Sequence, residues 1–340
     1  MSRVESLIGE VEDPSFDILR CAHVELVVSD LEASLGFYDG LLGMIVTERA
    51  GGVAFLRGWE EFLHHSLALR QAGAGEEPAV DHVAFRVASE GDLEALAEEF
   101  GRRGCPVRWL EGQPGLGRAL RVQDPFGFPL EFFARMDQVE RHTQDFHLQR
   151  GAPILRFDHL NFHVPDPESA FVFWQQLGFR CTEYISTDGE DERITGAWLR
   201  RKPTVHDVAL TAGTGPRLHH FAMWLPEPAA VLRVCDQLAA AGHVECIERG
   251  PGRHGVSNAF FVYLRDPDGH RIELYTCDYY TGDPDIPPIR WSVTDPRCRS
   301  FWGTRAPDSW YEESSRLRDL DGRLVATRPA GVDERTEIMA

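Results

Sequence analysis

Two groups of three residues, each with two histidines and one glutamate, occur in the two halves of the chain at similar spacing. The groups are His23, His82 and Glu131 in the first half and His159, His220 and Glu273 in the second. The surrounding sequence also repeats, since Asp124–Glu131 and Asp266–Glu273 share an Asp-Pro start, a glycine and the final glutamate. The chain therefore reads as a duplicated fold. Two histidines and one carboxylate suit a divalent transition metal and leave coordination positions open.

Length and composition fit a globular protein with two domains. The chain has 340 residues, of which 43% are hydrophobic, with 31 glycines and 21 prolines. Each half is long enough to bury a core. A run of about 18 uncharged apolar residues, the length that a membrane span needs, does not occur. The first 20 residues contain no apolar core of signal-peptide length. We therefore predict a cytoplasmic protein without a membrane partner.

The charge and cysteine content restrict the possible partners. The net charge is −19, and Lys202 is the only lysine, whereas binding to a nucleic-acid backbone needs clustered cationic side chains. An anionic substrate would have to meet a local group of arginines. The seven cysteines form no C-x-x-C pair, which favours free thiols in a reducing compartment and gives little support to a cysteine metal site.

The hydrophobic pattern predicts four βαβββ units, two in each half, and so an α+β fold. In the first unit a buried strand precedes a short helix over Asp30–Tyr38, with Asp30 as a plausible N-cap. The other helices are predicted at about Glu90–Phe100, Pro167–Leu177 and Pro228–Ala241.

These units define the expected domains. Residues 16–142 form an N-terminal pair of units that is structural and without metal, and residues 152–280 form the catalytic pair. Residues 281–322 are rich in proline, aspartate and tryptophan and are expected to pack over the active site. The polar residues 323–340 are expected to form a loose tail.

Six segments of the second half carry a resemblance to a known family. They are Asp158–Asn161, Thr204–Asp207, Gly215–His220, Arg249–Asn258, His270–Tyr275 and Asp278–Pro284. With them the chain resembles the type I extradiol ring-cleavage dioxygenases of the vicinal oxygen chelate superfamily. Among these it is most similar to the homoprotocatechuate (3,4-dihydroxyphenylacetate) 2,3-dioxygenases. The resemblance covers about Ile18 to Gly322.

This resemblance implies a reaction and a set of roles. The reaction is opening of a catechol ring by O2 next to its paired hydroxyls, which gives a yellow muconic semialdehyde, in aromatic catabolism. His206 matches the acid–base histidine, and Tyr263 matches the tyrosine beside the catechol. The family is expected to form homotetramers. The resemblance implies a site for Fe(II), or Mn(II) in some relatives, formed by His159, His220 and Glu273. It implies a pocket wall that contains Asn161, Trp198 and His254. It also implies that the substrate carboxylate binds to Arg249 and Arg299.

The sequence departs at one position from the internal repeat and at another from the family pattern. In the first half His65 mirrors His206, but Arg121 occupies the place of Tyr263, and a cation there disfavours a metal beside it. In the second half Cys298 precedes Arg299 where the family has two adjacent arginines. This loss of a cation leaves the exact side chain of the catechol open, including a propionate, a neutral ring or a larger catechol.

Two other kinds of function remain open from the sequence. A metal-dependent isomerase or lyase like the glyoxalases would share the fold, but it typically completes its site with four protein ligands, and Asn161 is a poor fourth ligand. A protein that only binds and sequesters a small molecule commonly lacks a metal triad. The residues therefore favour the dioxygenase hypothesis over both alternatives.

Overall fold

The computed structural model describes residues 3–9 and 13–331 and consists of two β-sheets with helices packed against them. The α-helices are α1 (Arg3–Leu7), α2 (Leu31–Leu35), α3 (Glu90–Arg102), α4 (Pro167–Gln176), α5 (Pro228–Ala240) and α6 (Asp308–Glu312). The strands of the first sheet are β1 (Ile18–Val28), β2 (Ile45–Ala50), β3 (Val53–Arg57), β4 (Leu67–Gln71), β5 (Ala79–Val87), β6 (Val107–Leu110), β7 (Ala119–Gln123) and β8 (Pro129–Phe133). The strands of the second sheet are β9 (Arg156–Val164), β10 (Arg180–Ser186), β11 (Ile194–Arg200), β12 (Val208–Ala212), β13 (Arg217–Trp224), β14 (Ile247–Arg253), β15 (Phe260–Arg265), β16 (Arg271–Thr276) and β17 (Ile289–Ser292).

Each sheet is built from two βαβββ units placed side by side, so the predicted α+β fold with four such units is confirmed. The first sheet has the order β2-β3-β4-β1-β5-β8-β7-β6, and the second has the order β14-β15-β16-β13-β9-β12-β11-β10-β17. In both sheets the opening strands of the two units pair antiparallel at the centre, β1 with β5 and β9 with β13. The two histidines of each His/His/Glu triad lie on these central strands, His23 and His82 in the first sheet and His159 and His220 in the second.

The first helix differs from its prediction. Asp30 does cap it, because its carboxylate accepts hydrogen bonds from the backbone N–H groups of Glu32 and Ala33 at 3.0 and 3.1 Å. The α-helix then ends at Leu35 and continues as a π-helix over Gly36–Leu41. A hydrophobic pattern at helical spacing does not separate these two geometries. The other three predicted helices begin at the predicted residue and end within two residues of the predicted end.

An aromatic cluster joins the two halves into one core. The Trp174 ring on α4 lies 5.4 Å from the Phe85 ring on β5, and the Phe128 ring lies 4.4 Å from the Phe162 ring on β9. All four side chains are fully buried. The second half is thus packed directly on the first, which limits relative movement of the two.

The C-terminal segment crosses the second half and extends further than the sequence predicts. Strand β17 pairs with β10, and α6 buries Trp310. The prediction of a loose tail from residue 323 is wrong for residues 323–331, because Arg328 and Gly215 exchange two backbone hydrogen bonds. The polar side chains of this segment do not indicate this pairing, because it is formed by backbone groups. Residues 332–340 lie outside the described residues. No helix in the described part is long and apolar enough to cross a membrane.

Candidate metal centre and active site

Three adjacent strands position the second-half triad. His159 lies on β9, His220 on β13 and Glu273 on β16. Ala222 on β13 pairs with His159 on one side and with Glu273 on the other. Side chains two residues apart on a strand share a face, so His220 projects on the same side as Ala222. The methyl group of Ala222 leaves space in front of the three larger side chains, which therefore converge.

The geometry of these side chains fits a single divalent ion. His159 Nε2 and His220 Nε2 lie 2.9 and 3.2 Å from Glu273 Oε2, and one ligand atom from each residue lies within 4.8 Å of the others. All three side chains are buried. Two imidazole nitrogens and one carboxylate oxygen form a common donor set for Fe(II) and Mn(II), with positions left for other ligands.

The outer nitrogens of both histidines are already engaged. His159 Nδ1 lies 3.1 Å from Asp158 Oδ2 and donates to it, and Tyr275 also donates to that carboxylate. His220 Nδ1 lies 2.7 Å from His219 Nδ1, while His219 Nε2 donates to the Trp310 carbonyl at 3.0 Å. These contacts fix the tautomers and leave the Nε2 atoms to face the site, as in protein metal centres generally.

The pKa shifts of His220 and Glu273 also favour a cation at this position. Burial lowers the pKa of His220 to about 4, so the ring is neutral near pH 7. Burial by itself would raise the pKa of Glu273, but hydrogen bonds from His159 and His220 hold it well below its usual value. Neutral imidazole and ionised carboxylate are the forms that bind metal. The carboxylate is therefore poised for a positive partner.

A cavity opens in front of the triad. Its wall contains every residue that the sequence predicts for the site. These are His159, Asn161, Trp198, His206, His220, Arg249, His254, Tyr263, Glu273 and Arg299. Segments that are more than 100 residues apart in sequence thus meet at one place.

His206 and Tyr263 lie on different sides of the metal ligands. The His206 ring centroid is 3.9 Å from that of His159, and its buried Nδ1 has no hydrogen-bond partner among the described residues. Burial, followed by the charge of His159, lowers the pKa of His206 well below its ordinary value. The Tyr263 hydroxyl lies 2.9 Å from His254 Nε2, and burial raises its pKa. The His206 ring is therefore neutral near pH 7, and the Tyr263 phenol stays protonated.

Arg249 supplies a buried cation without a carboxylate. Its guanidinium donates to the Arg299 carbonyl at 3.1 Å and to Ser300 Oγ at 2.7 Å, and it lies 4.4 Å from the centre of the Trp310 ring. Within residues 3–9 and 13–331 it forms no ion pair, although its side chain is buried. A buried charge is normally paired, so this side of the cavity suits an anionic group of a ligand.

Other residues of the cavity wall were not assigned as site residues from the sequence. Those that line it in addition are His163, Thr211, His219, Val256, Ser257, Cys298 and Trp310. A signal for His163 was present, because His159, Asn161 and His163 alternate along one strand. Trp310 comes from the C-terminal segment, and nothing in the local sequence indicates which part of that segment reaches the cavity.

The first-half triad has the same arrangement but contains its own cation. Glu131 Oε1 lies 3.3 Å from His23 Nε2 and 3.5 Å from His82 Nε2, while Arg121 Nε donates to Glu131 Oε2 at 2.6 Å. Arg121 pairs with Glu131 across β7 and β8 as Tyr263 pairs with Glu273 across β15 and β16. The register thus puts the guanidinium where the second half has a phenol.

Comparison with known protein families agrees with this fold and site. The model of the Glyoxalase/Bleomycin resistance protein/Dioxygenase superfamily matches residues 20–132 and, a second time, residues 156–274. The chain therefore belongs to this superfamily, and the family resemblance seen in the sequence is confirmed.

Individual relatives narrow the comparison to extradiol enzymes. The chain is 33% identical to a manganese-dependent 2,3-dihydroxybiphenyl 1,2-dioxygenase of Geobacillus genomosp. 3 over 302 residues, which is 84% of this chain and 94% of the relative. It is 33% identical to a metapyrocatechase of Geobacillus stearothermophilus over 88% of this chain and 94% of that protein. A homoprotocatechuate 2,3-dioxygenase of Brevibacterium fuscum, solved with 3,4-dihydroxyphenylacetate, matches with a TM-score of 0.90 and 44% identity over 94% of this chain and 100% of that one.

The two triads give a paired prediction. We expect Glu273→Gln to abolish tight metal binding, because it removes the anionic ligand, whereas Glu131→Gln keeps one metal per chain. Glu131→Gln instead leaves Arg121 with only part of its buried partner, so we expect unfolding to become easier by on the order of 3 kcal/mol. Metal analysis and urea unfolding of both variants test this. Loss of metal in Glu131→Gln alone would contradict the assignment.

Proposed function

We propose that this protein is an extradiol dioxygenase that cleaves 3,4-dihydroxyphenylacetate with O2 to a muconic semialdehyde, using Fe(II) or Mn(II) on His159, His220 and Glu273. The observation that carries the proposal is that the metal triad faces one cavity together with the neutral buried His206 and the buried Arg249, which forms no ion pair within the described residues. The relatives support the metal and the substrate, since one is manganese-dependent and another was solved with 3,4-dihydroxyphenylacetate.

The metal ligands bring the reactants together. A divalent ion held by His159, His220 and Glu273 would lower the proton affinity of the catechol hydroxyls and bind both reactants. All three protein ligands line the cavity, so reactants in the cavity would meet the ion there. Holding two reactants in a fixed geometry lowers the entropic part of the barrier.

His206 and Tyr263 carry the proton and hydrogen-bonding roles in this proposal. His206 is neutral and lies beside His159, so a ring nitrogen can take a catechol proton and later return it to an oxygen atom that comes from O2. Tyr263 keeps its proton and lies beside the proposed catechol position, where its hydroxyl donates to His254 Nε2 at 2.9 Å. Asn161 is turned away from a ligand role, because its Oδ1 accepts from Thr211 Oγ1 at 2.9 Å.

Arg249 and Arg299 receive the substrate carboxylate in this proposal. Arg249 is held from behind by the Arg299 carbonyl and by Trp310, which preorganises its guanidinium for a bidentate contact. Cys298 is buried against Trp198 and Val256, so the wall beside the arginines is apolar. The site thus combines a cationic end with an apolar flank, which suits an arm with a methylene carbon between ring and carboxylate.

A glyoxalase-like lyase is less well supported by the same geometry. Within the described residues the second triad contains three potential protein ligands and no fourth within ligand distance.

The proposal also includes a homotetramer, in line with the family resemblance, and a cytoplasmic location, which the seven free cysteines support.

Oxygen consumption tests the proposed reaction. We expect Fe(II)- or Mn(II)-loaded protein to consume one O2 per 3,4-dihydroxyphenylacetate and to form the yellow ring-opened product in equal amount. Turnover must cease under nitrogen, because O2 supplies both added atoms. Product formation from a hemithioacetal under nitrogen would instead identify a lyase. Absence of both reactions with either metal would remove the proposed function.

A second prediction concerns the carboxylate site. We expect Arg249→Met to raise KM for 3,4-dihydroxyphenylacetate roughly 10- to 100-fold, the equivalent of about 1.5 to 3 kcal/mol for a hydrogen bond to a charged group. KM for unsubstituted catechol should change little. Arg253→Met is the matched control, because Arg253 lies on the same strand but donates to Asn258 and does not line the cavity. Equal increases in KM for both substrates would contradict the assignment of Arg249 to the substrate carboxylate.

A further inference from the structure

The only lysine of the chain lies behind the candidate metal centre. The Lys202 side chain is 14% exposed. Its ammonium group donates to the Asp158 carbonyl at 2.7 Å and to the His206 carbonyl at 2.8 Å, and it lies 3.2 Å from Asp207 Oδ1. An ammonium has three N–H donors. Three acceptors from two separate segments therefore use its full hydrogen-bonding capacity.

These contacts connect the two histidines that lie side by side in the cavity. Asp158 immediately precedes His159, and its carboxylate, 3.7 Å from the Lys202 ammonium, accepts from His159 Nδ1. On the other side the ammonium holds the backbone of His206 itself. The ammonium group thus bridges the backbone segments of two residues whose ring centroids lie 3.9 Å apart.

The ammonium also balances buried negative charge. Asp158 and Asp207 are both at most 1% exposed. Asp207 additionally accepts from the backbone N–H groups of Cys21 and Arg201, so the network reaches β1 of the first half. Burial alone would lower the pKa of Lys202, but the Asp158 and Asp207 carboxylates raise it above its ordinary value. The side chain is a permanent cation here.

We propose that Lys202 is a positioning residue that holds His206 in register with the metal ligand His159 and offsets the negative charge that Asp158 places behind that ligand. The inference rests on the proposed function for the role of His206, but its electrostatic part concerns the metal ligand alone. Two effects follow. Geometry at His206 controls proton transfer, and charge near Asp158 controls how readily the bound metal is oxidised.

Two substitutions separate these effects. Lys202→Met removes both the charge and the hydrogen bonds, whereas Lys202→Arg keeps the charge, but a planar guanidinium directs its donors differently from an ammonium. We expect kcat to fall roughly 10- to 100-fold in both variants. A displaced His206 would lose part of the rate enhancement that a positioned acid–base group provides. KM should stay within about 3-fold of the unaltered protein, because the substrate contacts are elsewhere.

The midpoint potential of the iron-loaded protein is the second readout, and it does not depend on turnover. We expect a lower Fe(III)/Fe(II) potential in Lys202→Met, because an uncompensated Asp158 carboxylate favours the more positive ion, and a nearly unchanged potential in Lys202→Arg. If the unaltered protein shows no turnover, the proposed function fails while the potential still tests this inference. If Lys202→Met does not fold, the Lys202→Arg variant still decides whether kcat falls without a change in potential.

Arg201→Gln is the matched control. Arg201 is the neighbouring cation and donates from its side chain to the Ile18 carbonyl and to Asp17, so it also links the two halves without reaching Asp158 or His206. We expect its kcat and potential to match the unaltered protein. Equal losses of kcat in Arg201→Gln and Lys202→Met, or unchanged kcat and potential in Lys202→Met, would overturn the proposal.

Discussion

A buried glutamate at the same place in each half is the constraint on which much of this structure depends. Glu131 and Glu273 are at most 2% exposed. Removing a carboxylate from water costs several kcal/mol even after relaxation of the surroundings, unless it is paired. Each half must therefore supply positive charge or hydrogen-bond donors at the same position of its sheet. The two halves meet this need in different ways.

In the first half the charge comes from the protein. The Arg121 guanidinium contacts Glu131 and also donates to Asp81 at 2.9 Å, while His82 Nδ1 lies 3.0 Å from the same Asp81 carboxylate. The result is a network of side chains in which the protein itself supplies the positive charge beside Glu131. In the second half the equivalent strand position is Tyr263, which is uncharged. The carboxylate there is left with two histidines, and a metal ion supplies the missing charge in our proposal.

Local periodicity predicted the repeated units and three of the four helices, and the motif repeated within the chain predicted the two His/His/Glu groups. The other predicted residues of the cavity wall came from the family resemblance. The sequence did not predict the π-helix after Leu35 or the pairing of Arg328 with Gly215, which depend on backbone hydrogen bonds that side-chain patterns do not encode. The role of Lys202 was also hidden. Its uniqueness is visible in the sequence, but its three acceptors come together only when β9 and the loop before β12 are packed side by side.

The proposed difference in metal binding between the two halves can be measured directly. Crystals of the unaltered protein loaded with Fe(II) or Mn(II) should be measured at the absorption edge of that metal. We predict one anomalous peak per chain, between His159, His220 and Glu273, and none beside Arg121. A peak of similar height between His23, His82 and Glu131 would contradict the account, because the arginine would then not take the place of the metal charge.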